Sequence, residues 1–119
     1  MEIKTHLVND KKIAEITSDK IIIQSIEDGT DLVGNVYYQD FGLVIIHEKN
    51  ISPAFFDLKT GIAGEILQKF SNYRIRLAVV GDFSKFDSKS IRDFIFESNT
   101  SKHINFVENL AKALEKLSH

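Results

Sequence analysis

The chain has no cysteine and no tryptophan, and a single proline and methionine among its 119 residues. Without cysteine there can be no disulfide and no thiolate metal site, and the expected location is the cytoplasm. No apolar run approaches the roughly 20 residues that a membrane-spanning helix needs. The opening MEIKTHLVND alternates charged and apolar residues and lacks the apolar segment of a secretion signal. Strong charge is missing too. The formal net charge is −2 with lysines and arginines scattered along the chain, so there is no electrostatic footprint for nucleic acid. What is present is material for a core. Hydrophobic residues make up 43% of the chain, with nine phenylalanines, which excludes disorder and points to a single domain over 1–119.

The hydrophobic pattern alternates between strand and helix periods. Residues 2–8 and 12–17 read as two short strands joined at Asn9-Asp10, a hairpin turn. Residues 20–23 (KIII) are a third short strand or the lead into a helix. Ile26, Leu32, Val33, Val36 and Tyr37 recur at helical spacing, although Gly29 and Gly34 weaken that helix. Leu43–Ile46 and Leu77–Val80 are continuous apolar runs, as expected of strands buried on both faces of a parallel sheet. Ile62, Ile66, Leu67, Phe70 and Tyr73 stripe a second helix. Ser88 to Asn99 reads as a third, with Ser88 as N-cap and Ile91, Phe94 and Ile95 inward. Residues 104–107 form a last strand, and Leu110, Ala113, Leu114 and Leu117 stripe a closing helix. The expected fold class is α/β: a mostly parallel sheet with an N-terminal antiparallel hairpin and helices packed on it.

In such a sheet, ligands and partners meet the loops that leave the carboxyl ends of the parallel strands. Three stretches fall there: 47–60, then Gly81-Asp82-Phe83-Ser84, then Glu108-Asn109. The first is the longest and contains FFDLKTGIAGEIL. Thr60 precedes Gly61 and a helical stripe, so its hydroxyl is placed to cap the helix, with Gly61 permitting close packing and Asp57 and Lys59 beside the positive end of the helix dipole. Capping alone would account for the motif. A phosphate on Thr60 would also be favoured there, against free N–H groups at a helix start.

The order of hairpin, helix and three strand–helix units resembles the STAS domain of bacterial anti-sigma-factor antagonists. That family carries Asp-Ser-Ser-Gly-Leu-Gly after a central strand, and a partner kinase phosphorylates the serine before the first glycine. Thr60-Gly61-Ile62-Ala63 is similar to the Ser-Gly-Leu-Gly half, which implies Thr60 as phosphoacceptor. Asp57 matches the family's aspartate with one extra residue between, and Leu58-Lys59 replace the small serine. Nearly end to end, through HEKNISPAFFDLKTGIAGEILQKFSNYRIRLAVVGDF and SKSIRDFIFESN, the chain resembles an uncharacterised bacterial family, domain of unknown function 4180. That resemblance implies no activity.

Other chemistries find less support. The dinucleotide fingerprint and the P-loop are absent, and Gly61-x-x-Gly64 alone is weak. A receiver domain would need an acidic pair after the first strand and a lysine after the last, and neither is there. His6, His47, His103 and His119 lack metal-ligand spacing, so no metal or cofactor is expected, and His47 reads as a hydrogen-bonded residue at a strand end. The expectation is a regulatory or binding module. Its site would comprise Glu48, Asn50, Phe56, Asp57, Lys59, Thr60, Gly61, Asp82, Phe83, Ser84 and Arg92, facing a protein partner or a small anionic ligand, with a homodimer left open. Phe55, Phe56, Phe83 and Phe86 would line a ligand pocket or plug the sheet's end. The alternative is a small enzyme using Asp57, Lys59 and Asp82 as an acid–base cluster. A cleft lined by Glu48, Asp57, Asp82 and Arg92 would favour the enzyme, a convex exposed loop the module.

Overall fold

The computed structural model describes residues 1–119. Strands β1 (Glu2–Val8) and β2 (Lys11–Thr17) form the hairpin. Then come α1 (Ile26–Tyr38), β3 (Leu43–His47), the one-turn α2 (Pro53–Phe56), α3 (Ile62–Asn72), β4 (Arg76–Val80), α4 (Lys89–Asn99), β5 (Ile104–Val107) and α5 (Leu110–Leu117). The sheet runs β1-β2-β3-β4-β5 in spatial as well as chain order. β1 and β2 are antiparallel, and every other neighbouring pair is parallel. The apolar runs at 43–46 and 77–80 lie side by side as β3 and β4, as their continuous burial requires. Residues 20–23 contribute only one bridge, Ile23 to Ile51. No helix is long and apolar enough to cross a membrane.

Asn9 and Asp10 both take positive φ (53° and 63°), the type I′ geometry whose twist suits a two-residue hairpin. The parallel strands progress in one direction across the sheet. Right-handed crossovers of that kind put every connecting helix on the same face. That face carries the larger core, in which Ala14, Ile16, Val44, Ile46, Leu77, Val79 and Phe106 meet Leu32, Val33, Val36, Ile66, Phe70 and Ile91 from the helices. α5 follows the last strand and so is free to cross to the other face. There Ala113 and Leu117 cover Ile13, Ile45, Ala78 and Val107.

Gly29 does more than weaken α1. A methyl group at this position would meet three carbons of Ile66 at 2.5–2.9 Å, so the glycine sets the close approach of α1 to α3. The helical stripes also overrun the core at their ends. Tyr37 and Tyr73 close on each other edge to face at 5.0 Å and stay largely exposed.

Candidate functional site

The segment between β3 and α3 is not an open loop. His47 is followed by a 3₁₀ turn at Glu48–Asn50, by α2, and by a second 3₁₀ turn at Leu58–Thr60. Pro53 stands at the first position of α2, where its missing N–H costs nothing, and the Ser52 hydroxyl accepts from Ala54 N–H. Asn50 is buried, and its Nδ2 donates to the carbonyls of Ser18 (2.8 Å) and Lys20 (2.9 Å). It therefore ties the end of β2 to the end of β3 and presents nothing to solvent. Phe55 and Phe56 are buried as well. Phe56 stacks on Phe86 at 4.6 Å and meets Phe83 at 6.1 Å, so these aromatic rings close the sheet's end.

What this scaffold leaves outside is the turn 57–61. Asp57, Lys59, Thr60 and Gly61 are all exposed. Asp57 Oδ1 accepts from Lys59 N–H, which closes a small side-chain turn. The sequence places Thr60 as the cap of α3; in the structure the N-cap is Gly61, one residue later. The Thr60 hydroxyl donates to the carbonyls of Ala54 (2.9 Å) and Asp57 (2.8 Å) and accepts from Ile62 N–H (3.2 Å). The correction has a backbone cause. The 3₁₀ turn ends at Thr60, and the chain reverses into α3 through Gly61 at φ +77°, which favours glycine. Gly61 is thus required by its φ rather than by close packing, since nothing lies within 4 Å of where its Cβ would be.

The remaining rim residues are separate from that turn. Glu48 lies over Gly81 and forms an ion pair with Lys85 at 2.7 Å. Asp82 Oδ1 accepts from the Ser84 hydroxyl (2.6 Å) and its backbone N–H (3.0 Å). Those bonds, the hydroxyl's first, hold its carboxyl below the usual aspartate range. Asp82, Phe83 and Ser84 line an open cleft of about 600 Å³ with Gly81, Phe106, Val107, Glu108 and Lys112. Asp57, Lys59, Glu48 and Arg92 do not line it, and no hydrogen bond or ion pair joins Asp57 or Lys59 to Asp82. Arg92 is exposed on α4.

A second polar cluster had no place among the sequence candidates. Glu15, in mid-β2, is buried, and each of its oxygens accepts from an imidazole Nε2: His6 of β1 at 2.8 Å and His47 of β3 at 2.7 Å. An ionised carboxylate only accepts, so both rings carry a proton on Nε2. Burial pushes the Glu15 carboxyl up, but the two histidine hydrogen bonds and the rings' charge outweigh it, and the net shift is downward. The trio is one carboxylate shared between two imidazoles rather than a set that could hold a metal ion, and no other group of His, Asp or Glu offers such a set. The sequence held a signal for this cluster. A two-residue turn at 9–10 pairs His6 with Ile13 and Lys4 with Glu15, which puts His6 and Glu15 on one face.

A family model matches residues 8–117, from the end of β1 to the end of α5. The chain belongs to that family, described as domain of unknown function (DUF4180). The match takes in the turn 57–61, the rim at 81–84 and both Glu15 and His47 of this DUF4180 domain, while His6 lies before it. No curated protein and no solved structure matches the chain.

Proposed function

We propose that this DUF4180 domain is a regulatory binding module that presents the turn Asp57–Gly61 to a protein partner. One observation carries the reading: Asp57, Lys59, Thr60 and Gly61 stand exposed together on a turn whose backbone is held in place by its own hydrogen bonds. A surface ordered before binding loses little entropy when a partner docks. The resemblance of Thr60-Gly61-Ile62-Ala63 to the STAS phosphorylation motif supplies the switch. A kinase using a nucleoside triphosphate would transfer its terminal phosphoryl group to Thr60 Oγ1, and the hydroxyl proton would leave. The modified oxygen could no longer donate to Ala54 and Asp57, and a dianion would stand beside those two carbonyls. Phosphorylation would thus loosen the turn and change its charge in one step.

The test is capture of partners from the native cell by the wild-type domain and two variants. Asp57→Ala/Lys59→Ala gives up the Asp57 bond to Lys59 N–H at an exposed turn and should cost about 1 kcal/mol while the domain stays folded. It should also lose the captured protein. Thr60→Asp, which accepts from Ile62 but cannot donate to Ala54, should lose it too. Equal capture by all three forms would refute the module reading of this turn.

A further inference from the structure

The two edges of the sheet are treated differently. At the β5 edge, the outward backbone groups of Phe106 are both occupied by one side chain. Asn99 Oδ1 accepts from Phe106 N–H at 2.7 Å, and Asn99 Nδ2 donates to Phe106 C=O at 3.1 Å. That amide stands where a sixth strand would pair. The β1 edge has no such closure. The hairpin turn closes on the Val8–Lys11 pair, so Val8, His6, Lys4 and Glu2 direct their backbone groups to β2. Ile3, Thr5 and Leu7 direct theirs outward, and no side chain or loop hydrogen-bonds to them. Apart from the charged Glu2 and Lys4, β1 also lacks the usual protections of an edge. It has seven residues in unbroken register, without bulge or proline, and Leu7 is 74% exposed.

We propose that β1 pairs antiparallel with β1 of a second copy, about a two-fold axis through Thr5, to give one continuous ten-stranded sheet. The strand's own sequence selects this register. Only outward-facing residues can pair with one another, and the two-fold at Thr5 is the alignment that uses all seven residues. It sets Ile3 against Leu7 of the second copy, Thr5 against Thr5, and Leu7 against Ile3, with about six main-chain hydrogen bonds. Apolar and β-branched pairs of this kind stabilise a strand pair. Ile3 already packs against the larger core, so the exposed Leu7 would extend that apolar layer across the axis. On the other face Lys4 would meet His6 of the second copy, whose ring is held by the Glu15 carboxylate. Shifting the two-fold to Lys4 would instead oppose two lysines and leave Leu7 beyond the strand partners. With the β5 edge occupied by Asn99, pairing stops at two copies and does not run on into a fibre.

Sedimentation equilibrium of the wild-type chain at high micromolar concentration tests the assembly. Twice the 13.5 kDa chain mass is expected, and a monomer at every concentration would overturn the proposal. The register is tested by single cysteines in a chain that has none. Residues exchanging both hydrogen bonds lie about 5.5 Å apart at Cα, within disulfide range, so Thr5→Cys should oxidise to a covalent dimer. Two copies of Leu7→Cys would hold their cysteines about 13 Å apart, four residues along the strand, and should stay largely uncrosslinked. Both positions are exposed, so neither variant threatens folding. Crosslinking of Leu7→Cys as fast as Thr5→Cys would overturn the two-fold at Thr5.

Discussion

Replacing Gly29 by alanine should destabilise the domain, although the same change elsewhere in α1 should stabilise it. Alanine is favoured over glycine in a helix interior by about 0.8–1 kcal/mol, and nothing lies within 4 Å of the Cβ site at Gly34. Gly34→Ala should therefore gain most of that amount. At Gly29 the new methyl would lie 2.5, 2.7 and 2.9 Å from Cγ1, Cδ1 and Cγ2 of Ile66, where contact distances are normally about 3.5–4 Å. Ile66 is fully buried among the larger core, so it has no free direction to retreat. Overpacking of this kind costs about 1–3 kcal/mol, and three contacts under 3 Å put it toward the upper end, which leaves a net loss of up to about 2 kcal/mol after the helix gain. Urea unfolding followed by circular dichroism should show Gly29→Ala below wild type and Gly34→Ala above it. In an Ile66→Ala background all three contacts disappear, and Gly29→Ala should turn neutral or stabilising. If Gly29→Ala instead stabilises the wild-type chain as much as Gly34→Ala does, α1 and α3 do not approach through this glycine.

Other substitutions reach the polar parts of the fold. Because the folded-state pKa of Glu15 is depressed, its contribution to stability is present above the unfolded value, near the ordinary 4.5, and is lost as pH falls through the folded value. Glu15→Gln should thus be less stable than wild type at neutral pH, with the gap closing in acid. A gap that stays constant from neutral pH into acid would refute the account. Asn50→Ala removes two hydrogen bonds to otherwise unpaired carbonyls in a buried position and should cost about 1–3 kcal/mol. Hydrogen exchange should speed up at Ile22, Ile23 and Ser52, whose amides pair across the same junction. Thr60→Ala gives up its bonds at an exposed site and should cost only about 1 kcal/mol.

The order of strands and helices was legible because each element carries its own period. Leu43–Ile46 and Leu77–Val80 have no polar alternation, and only a strand covered on both faces tolerates that. The hairpin was legible for a local reason as well: adjacent Asn and Asp tolerate the positive φ that a two-residue turn demands. The exposed turn at 57–61 was placed correctly by chain order, since it follows a parallel strand.

What lay beyond the sequence depends on groups that meet only after folding. The hairpin turn brings His6 to the face of Glu15, but His47 lies 32 residues beyond Glu15, and only the pairing of β2 with β3 adds it to the cluster. The reach of Asn50 back to Ser18 and Lys20 is equally remote, which is why it reads as a loop residue until the chain is folded. The cap of α3 moved by one residue because the turn before it is helical too, and the competition between two turns is settled by backbone geometry rather than by residue preference. Gly29 is the clearest case. By itself a glycine in a helix is a local cost, and only the tertiary position of Ile66 turns it into the condition for two helices to touch. Local propensity and period thus specified the elements, while burial and hydrogen-bond partners distant in the chain decided which side chains are scaffold and which face outward.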